Sequence, residues 1–176
     1  MKQKKKLIWK GKKRLKRKYT NVKVCPLEPA QSAFMSTGIS GEKHRIQGIG
    51  DGFIPEIVHL DELDDILVVD DFDAILMARL LAQKLGLGVG ISSGANFIGA
   101  VMAQNIYGKD ANTITIFSDD TKKYLSSDTN LFEEPKEDFI SNDIELISVD
   151  AECICDKRIF EGVCDHFEES IELENN

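Results

Sequence analysis

Short apolar runs alternate with stretches of helical periodicity along the middle of this 176-residue chain, and this order constrains its fold more than any other feature. Three runs have the length and composition of strands in a covered sheet, at residues 66–69, 87–91 and 113–117. Between the first two, Met77, Leu81 and Leu85 recur at helical spacing, and Gly86 is a natural helix stop. A strand–helix–strand–helix–strand order favours a parallel sheet covered by helices.

Further boundaries follow from local signals. A strand is predicted at 22–27, ending before the break at Glu28-Pro29, with a helical turn at 31–35. Asp70 or Asp71 is expected to cap the helix that follows the first central strand. With 42% hydrophobic and 30% charged residues, the composition is that of an ordinary globular domain.

The run Gly-Ile-Ser-Ser-Gly-Ala at residues 90–95 is the strongest functional signal. It is predicted to turn from the second central strand into a helix that begins near Ala95. In an open α/β sheet, ligands sit at the carboxyl ends of the strands, where the following helix points its free N–H groups and its positive dipole end. The hydroxyls of Ser92 and Ser93 are therefore well placed to hold a polar atom of a cofactor or substrate.

Several further runs carry a family resemblance together with residues 90–95. They are Asn-Val-Lys-Val at 21–24, Leu-Glu-Pro-Ala at 27–30, His-Arg-Ile-Gln-Gly-Ile-Gly-Asp-Gly-Phe-Ile-Pro at 44–55, Tyr-Leu-Ser-Ser at 124–127 and Leu-Phe at 131–132. In their order and spacing, from about Lys13 to Phe132, the chain resembles the C-terminal portion of cysteine synthase (O-acetylserine sulfhydrylase), a fold type II pyridoxal-phosphate enzyme. The resemblance implies an α/β fold, a partial three-layer parallel sheet with flanking helices that forms the C-terminal lobe of these enzymes.

The same resemblance implies pyridoxal phosphate as cofactor and the β-replacement of O-acetylserine by sulfide to give cysteine. By motif position, Ser92 would hold the pyridine nitrogen with a neutral hydroxyl, and Ser93 would cap the helix. Gly48, Ile49 and Gly50 would form a loop on the substrate side, where glycine lets the backbone approach closely. The family acts on small amino-acid substrates as a homodimer, and it also binds serine acetyltransferase, whose C-terminal tail enters the active site.

Three elements of the family's N-terminal half are not found in this chain. They are the lysine that forms the Schiff base, a loop that holds the substrate carboxylate, and a Gly/Thr-rich phosphate cup. No catalytic residue is therefore assigned, and we expect a fragment that is inactive alone and binds the cofactor poorly. Two departures concern the substrate and the pyridine ring: Asp51, where many relatives have a small apolar residue, and Ser118-Asp119-Asp120, where they have a Pro-Ser segment.

Two further readings of the resemblance stay open. A cystathionine β-synthase-like fragment would use the same scaffold, and the missing half holds much of what separates the two activities. A non-catalytic binding partner, docking on an intact paralogue or on serine acetyltransferase, is the other alternative. An isolated lobe is expected to expose apolar surface from Ile46 to Ile57 and around Phe97, and therefore to self-associate.

Charge divides the chain into three predicted parts. Residues 1–23 hold 12 Lys or Arg and no acid, and they are interpreted as a truncated or misread start, with a nucleic-acid or membrane-surface arm as the less favoured alternative. Residues 24–134 would form the lobe. Residues 135–176 are predicted to be an acidic tail or a small strand–helix appendage, since 15 of the 30 acids fall within 133–176.

The four cysteines are expected to be reduced thiols in a cytoplasmic protein, because no segment resembles a membrane span or a secretory signal. Cys25 lies in a strand-like run and is interpreted as a small buried hydrophobe. Cys153, Cys155 and Cys164, with the nearby His166, have spacings compatible with zinc, but they lack a paired C-x-x-C pattern. No metal is therefore predicted.

A rival function of a different class comes from the same six residues. Gly90-Ile91-Ser92-Ser93-Gly94 fits the G-x-S-x-G nucleophile elbow of serine hydrolases, in which Ser92 would be the nucleophile. Asp119 or Asp120 and then His166 follow in the hydrolase order. The pattern is short and the resemblance above covers more than a hundred residues, so the hydrolase remains a remote alternative.

Overall fold

The computed structural model describes residues 15–39, 41–50, 52–56, 58–125 and 135–150. Two short strands and two long helices form its centre: β1 (Leu27–Pro29), β2 (Leu67–Val69), α1 (Asp71–Leu85) and α2 (Ile91–Tyr107). Short helical segments connect or flank them. Two are α-helical, at residues 15–18 and Phe34–Thr37, and four are 3₁₀ turns, at Ala30–Ser32, Leu60–Glu62, Thr121–Lys123 and Ile140–Asp143. Among the described residues, no helix is long and apolar enough to cross a membrane.

The sheet is parallel, as predicted, with Leu27 opposite Leu67 and Pro29 opposite Val69. The first strand begins later than the predicted 22–27 and includes the Glu28-Pro29 pair that was expected to break it. The backbone N–H of Val24 donates instead to the Asp64 carboxylate, at 2.8 Å. The Leu67 N–H donates to the Pro26 carbonyl at 2.9 Å, and the regular ladder begins at Leu27.

Helix α1 matches its predicted bounds because its end signals are local. The Asp70 carboxylate accepts a hydrogen bond from the Phe72 N–H at 2.8 Å and caps the first turn. Gly86 ends the helix in the left-handed conformation, with φ at 69°. The core-facing side of α1 includes Phe72, Ile75, Met77 and Leu81, each buried.

Helix α2 begins at Ile91, four residues before the predicted start near Ala95. The N–H groups of Ser93 and Gly94 both donate to the Gly90 carbonyl, at 3.0 and 3.2 Å, and these bonds draw the serines into the first helical turn. The strand predicted at 87–91 is reduced to one antiparallel bridge between Val89 and Asp120. Too few residues remain between Gly86 and the helix for a longer ladder.

The strand predicted at 113–117 is also not formed within the described part of the chain. Its residues are exposed, Ile114 by 93% and Ile116 by 63%. Its hydrogen bonds run to the side-chain amide and the backbone carbonyl of Asn96 in α2 rather than to another strand. A strand needs a neighbour that pairs with its backbone, and the described residues provide none for this segment.

Small residues let α2 pack closely against α1 and against the sheet. A Cβ atom at Gly94 would lie 2.1 Å from the Ala74 carbonyl oxygen of α1. A Cβ atom at Gly99 would meet Leu27 Cδ1 at 2.7 Å, on the side where α2 covers the sheet. These two glycines therefore fix the spacing of the helix–helix and helix–sheet layers.

Residues 135–150 pack back onto this centre. Phe139 is buried and meets the Phe72 ring edge-on, with ring centroids 5.9 Å apart. The Asp73 carboxylate accepts hydrogen bonds from the N–H groups of Ile140 and Ser141, at 3.0 and 3.1 Å. The predicted boundary at residue 135 stays a prediction. Residues 151–176, most of the predicted acidic tail or appendage, lie outside the described residues.

The expected exposed surface from Ile46 to Ile57 is only partly present. Ile46 is fully buried in the core, so the prediction was wrong for this residue. Phe53 is 57% exposed, Phe97 is half-buried against the core, and Ile57 lies outside the described residues. The most exposed large apolar side chain on the described surface is instead Ile114.

Candidate functional site

Ser92 lies in the first turn of α2 and faces a second hydroxyl. Its Oγ is 3.1 Å from the Oγ of Ser118, which follows the segment 113–117. From the sequence alone, Ser118 was recognised only as part of a departure from the family pattern. Ser118 directly follows an apolar run of strand-like composition, as Ser92 does. This shared position was the signal that could have placed Ser118 beside the site.

Ser93 has a different role from the predicted helix cap. Its side chain is fully buried, and its Oγ accepts a hydrogen bond from the Ser118 N–H at 3.2 Å. The N-cap position is occupied by Gly90, which has no side chain to form a cap bond. Ser93 therefore fixes the backbone of Ser118 and, through it, the pair of hydroxyls.

Asp119 places a carboxylate over the start of the same helix. Its Oδ2 accepts hydrogen bonds from the Tyr124 hydroxyl at 2.8 Å and from Lys123 Nζ at 3.3 Å. Its Oδ1 is buried without a hydrogen bond from the described residues, and a Cβ atom at Gly90 would lie 2.0 Å from it. Gly90 is thus needed at this point because any side chain would displace Asp119.

The loop Gly48–Gly50 is anchored to the end of β1. The Gly50 carbonyl accepts a hydrogen bond from Ser32 Oγ at 3.0 Å, and His44 Nε2 lies 3.4 Å from the same oxygen. Gly48 and Gly50 have φ values of 91° and 67°, and a Cβ atom at Gly50 would lie 2.8 Å from the Pro29 ring. Ile49 packs against the core, while Asp51 lies outside the described residues.

An ion pair that sequence analysis did not identify ties this loop to α1. Arg45 donates to the Asp71 carboxylate from Nε at 3.0 Å, from Nη2 at 3.1 Å and from its backbone N–H at 2.8 Å. Its guanidinium also lies 5.2 Å from the centre of the Phe72 ring. A bidentate pair of this kind fixes both orientation and distance.

Burial acts to raise the pKa of Asp71, but the hydrogen bonds and positive charge of Arg45 outweigh it and hold that pKa below its usual range. Gln31 completes the arrangement, since its amide nitrogen donates to Asp70 and Asp71 at 3.1 and 3.2 Å. No sequence spacing links Gln31, Arg45 and Asp71, and only the folded chain brings them together.

Glu28 is a second residue that sequence analysis passed over. Its side chain is 1% exposed, and its two carboxylate oxygens accept hydrogen bonds from the N–H groups of Met35 and Ser36, at 2.7 and 2.9 Å. The buried acid therefore shapes the turn that leads from β1 toward the glycine loop.

The hydroxyl pair fits the nitrogen of a pyridine ring. Two neutral hydroxyls use one proton for the bond between them, so the other proton can be donated outward. The first N–H groups of a helix lack intrahelical partners, and its positive dipole end favours a neutral over a protonated ring nitrogen close by. The donor set formed by Ser92 and Ser118 is thus compatible with the ring nitrogen of pyridoxal phosphate.

The hydrolase alternative is not supported by the described geometry. Ser92 meets another serine, and Asp119 is engaged by Tyr124 and Lys123. His166 and the cysteines Cys153, Cys155 and Cys164 lie outside the described residues, as do Ser126 and Ser127. Within the described ranges, no group of three or more His, Cys, Asp or Glu residues could hold a metal ion.

Cys25 is more polar in its surroundings than predicted. It is half-buried, and its Sγ lies 3.7 Å from the hydroxyl of Tyr107, which in turn donates to the Asp65 carboxylate. Burial and the hydrogen bond to Asp65 raise the pKa of Tyr107. This chain of bonds lies at the opposite end of α2 from Ser92 and takes no part in the candidate site.

Comparison with known proteins shows the family to which this chain belongs. A profile of the pyridoxal-phosphate dependent enzymes matches residues 8–119, and the chain belongs to that family. Among curated relatives, it is 42% identical to cysteine synthase B of Campylobacter jejuni over 114 residues, which are 65% of this chain and 37% of the relative. It is 34% identical to cysteine synthase of Staphylococcus aureus over 120 residues, 68% of this chain and 38% of the relative.

Solved structures show the same similarity. A hydrogen sulfide-producing enzyme from Fusobacterium nucleatum is 59% identical, with a TM-score of 0.71 over 74% of this chain and 39% of that chain. O-acetyl serine sulfhydrylase isoform 3 from Entamoeba histolytica is 35% identical, with a TM-score of 0.63 over 69% of this chain and 37% of that one. The chain thus spans less than two fifths of the length of these relatives.

Proposed function

We propose that this chain provides the ring-nitrogen side of a pyridoxal-phosphate site of the cysteine synthase type, in which sulfide replaces the acetate of O-acetylserine. The observation that carries the proposal is the contact between the hydroxyls of Ser92 and Ser118 at the start of α2. When bound, the cofactor supplies the electron sink for chemistry at the β-carbon. Ser92 donates a hydrogen bond to the ring nitrogen, and Ser118 orients the Ser92 hydroxyl.

The neutral character of this contact matters for the reaction. A hydroxyl donates a hydrogen bond without stabilising a positive charge as a carboxylate would, so the nitrogen stays largely unprotonated. The dipole of α2 acts in the same direction. Asp119 would oppose it, but its charge is partly neutralised by Lys123 at 3.3 Å.

The loop Gly48–Gly50 is proposed to form the substrate side of the site. Its position depends on the Gly50 carbonyl, held by Ser32, and on the Arg45–Asp71 pair. Such anchoring keeps the loop backbone in place without a side chain at either glycine, which leaves room for a small amino acid.

A second candidate is release of sulfide rather than its incorporation. The identity of 59% to the hydrogen sulfide-producing enzyme exceeds the 42% to cysteine synthase B. Both reactions exchange a group at the β-carbon of an amino acid, and they differ in whether sulfide enters or leaves. The cystathionine β-synthase-like alternative also stays open, since an O-acetylserine dependent cystathionine beta-synthase from Helicobacter pylori is 32% identical with a TM-score of 0.61.

The 176 residues are proposed to be inactive by themselves, since no segment corresponds to the Schiff-base lysine or the phosphate cup. Binding to serine acetyltransferase, a homodimer of the family type and a cytoplasmic location stay predictions. So does the role of a non-catalytic partner for an intact paralogue.

Because the 176 residues are proposed to be inactive by themselves, purified chain mixed with pyridoxal phosphate should retain no cofactor absorbance after gel filtration. It should also form no cysteine from O-acetylserine and sulfide. Turnover by the chain alone would contradict this part of the proposal.

The assignment of Ser92 is tested in a chimaera in which residues 8–119 replace the matching part of the F. nucleatum enzyme. We expect Ser92→Ala to weaken pyridoxal-phosphate retention by about 0.5–1.5 kcal/mol, since one neutral hydrogen bond is lost. Ser36→Ala, which removes an exposed hydroxyl elsewhere, is the matched control. Equal cofactor affinity in the Ser92→Ala variant and the control would show that Ser92 does not contact the ring.

Sulfide incorporation and sulfide release, assayed on the same chimaera, separate the two candidate reactions.

A further inference from the structure

Residues 136–141, which we call the docking segment, pack onto the first turn of α1. Phe139 is buried and meets the Phe72 ring with an angle of 62° between the ring planes. Lys136 Nζ donates to the Asp70 carboxylate at 3.0 Å. The segment follows residues 8–119, the part of the chain that matches the family profile, and the proposed function leaves it without a role.

Asp73 fixes the docking segment at one place on α1. Asp73 is buried, and its two carboxylate oxygens accept separate hydrogen bonds, from the Ile140 N–H at 3.0 Å and from the Ser141 N–H at 3.1 Å. Hydrogen bonds to an ionised acceptor are about twice as strong as those between neutral groups. The two bonds therefore also fix the position of Phe139, which directly precedes Ile140.

Phe72 links the docking segment to Arg45. The guanidinium carbon of Arg45 lies 5.2 Å from the centre of the Phe72 ring, which is within the range of a cation–π contact. Phe139 fills the space beside the same ring, with the ring centroids 5.9 Å apart. Without the Phe139 ring, Phe72 would gain room to change its rotamer, and more water would reach the guanidinium. Both the ring contact and the ion pair with Asp71 weaken as the local dielectric rises.

Arg45 in turn holds the glycine loop, residues 44–50, on α1. Its backbone N–H donates to the Asp71 carboxylate at 2.8 Å, in addition to the two bonds from its guanidinium. The next residue, Ile46, is fully buried in the same core cluster as Phe72 and Phe139. A displaced Arg45 would therefore move the start of the loop.

We propose that Phe139 is a positioning residue for the glycine loop. Phe139 fixes the Phe72 ring, and this ring fixes the guanidinium of Arg45. The ion pair between Arg45 and Asp71 then keeps the loop backbone where a substrate would contact it. The inference rests on the proposed function for the meaning of the loop as the substrate side, whereas the series of contacts from Phe139 to Arg45 does not.

Amide hydrogen exchange of the full chain, followed by nuclear magnetic resonance, tests these contacts without cofactor or substrate. The amides compared are those of Arg45 and Val24, because each donates to a carboxylate at 2.8 Å, of Asp71 and Asp64 respectively. Phe139→Ala should speed exchange at Arg45 by about tenfold or more relative to Val24, since the loop then opens locally. A loss of overall stability would instead speed exchange at both amides together.

Leu81→Ala is the matched control. Leu81 is fully buried on the same helix, nine residues after Phe72 and so about 13 Å farther along the axis. This variant should leave the ratio of the Arg45 rate to the Val24 rate at its native value. Phe139→Leu keeps much of the buried apolar volume, so its ratio should lie between those of the native chain and Phe139→Ala.

A ratio that Phe139→Ala leaves unchanged, or that Leu81→Ala raises as much, would overturn the proposal. If Phe139→Ala does not fold, Phe139→Leu decides alone, with an expected rise of about threefold in the ratio, and no rise would equally overturn it. Cofactor retention by Ser92→Ala tests the proposed function separately, so the failure of one proposal is distinguishable from the failure of the other.

Discussion

At the scale of single residues, Asp71 connects more of the candidate site than any serine does. Its carboxylate binds Arg45 of the glycine loop and Gln31 from the segment after β1, and its backbone begins α1. The pair is mostly buried, with side-chain exposures of 23% for Arg45 and 8% for Asp71. Removing one partner would leave the other charge poorly solvated, which is costly in a protein interior.

Asp71→Asn should therefore lower the free energy of unfolding at neutral pH by about 2–4 kcal/mol. The loss should depend on pH. Because the folded-state pKa is depressed, the ionised Asp71 contributes fully above its unfolded pKa of about 3.9, and its contribution is lost as the pH falls through the lower folded value. Urea unfolding of both proteins between pH 7 and pH 3 checks this.

The stability curves of the native chain and Asp71→Asn should converge toward the acid end of that range. Asp61→Asn is the control, since Asp61 is exposed in the 3₁₀ turn Leu60–Glu62. A difference between native and Asp71→Asn proteins that stays constant down to pH 3 would argue against a stabilising ion pair at Asp71.

At the scale of elements, the close packing of α2 depends on two glycines with unequal surroundings, Gly94 against α1 and Gly99 against the sheet. The space at Gly94 is limited by the backbone oxygen of Ala74, which cannot move without shifting α1. The space at Gly99 is limited by the tip of the Leu27 side chain, which can rotate away. The same substitution should thus have different effects at the two positions.

Gly94→Ala is expected to destabilise the fold by about 1–3 kcal/mol, because the overpacking cost exceeds the helix-propensity gain of about 1 kcal/mol. Gly99→Ala should be close to neutral, since the same gain offsets a small shift of Leu27. Chemical denaturation of both variants checks the order. Equal effects of the two alanines would contradict this order, and a neutral Gly94→Ala would show that α1 can move away from α2.

Sequence reasoning succeeded for elements whose signals are local and failed for those that need a partner. The cap at Asp70, the stop at Gly86 and the spacing of apolar residues fix α1 within the helix itself. The runs 87–91 and 113–117 have strand composition, but a strand forms only against another backbone. The start of α2 was missed because Gly90 acts as its N-cap without a side-chain signal.

The candidate site shows the same limit. Ser92 could be proposed from a motif, whereas Ser118 and the Arg45–Asp71 pair depend on which distant segments meet in space. Glu28 was interpreted only as part of the break at Glu28-Pro29, and its burial is explained by two N–H donors that the folded chain brings to its carboxylate. The glycines Gly48 and Gly50 were recognised as permissive, but their attachment to Ser32 was not.

At the scale of the whole molecule, segments far apart in sequence converge on the start of α1. Lys136 Nζ donates to the Asp70 carboxylate at 3.0 Å, and the N–H groups of Ile140 and Ser141 donate to Asp73. Arg45, which precedes the helix in sequence whereas residues 136–141 follow it, forms an ion pair with Asp71. The acidic start of this helix thus joins the glycine loop and the segment 135–150 to one structure.

The spacing of these elements along the chain also sets the order in which they can assemble. Helices α1 and α2 are separated by five residues, whereas Leu27 and its partner Leu67 are 40 residues apart. Closing the longer loop costs about 1.5–2 kcal/mol more in chain entropy. Refolding should therefore protect the amides of the helix pair before those of β1, as pulse-labelled hydrogen exchange can measure. Simultaneous protection would mean that the sheet is already part of the folding nucleus.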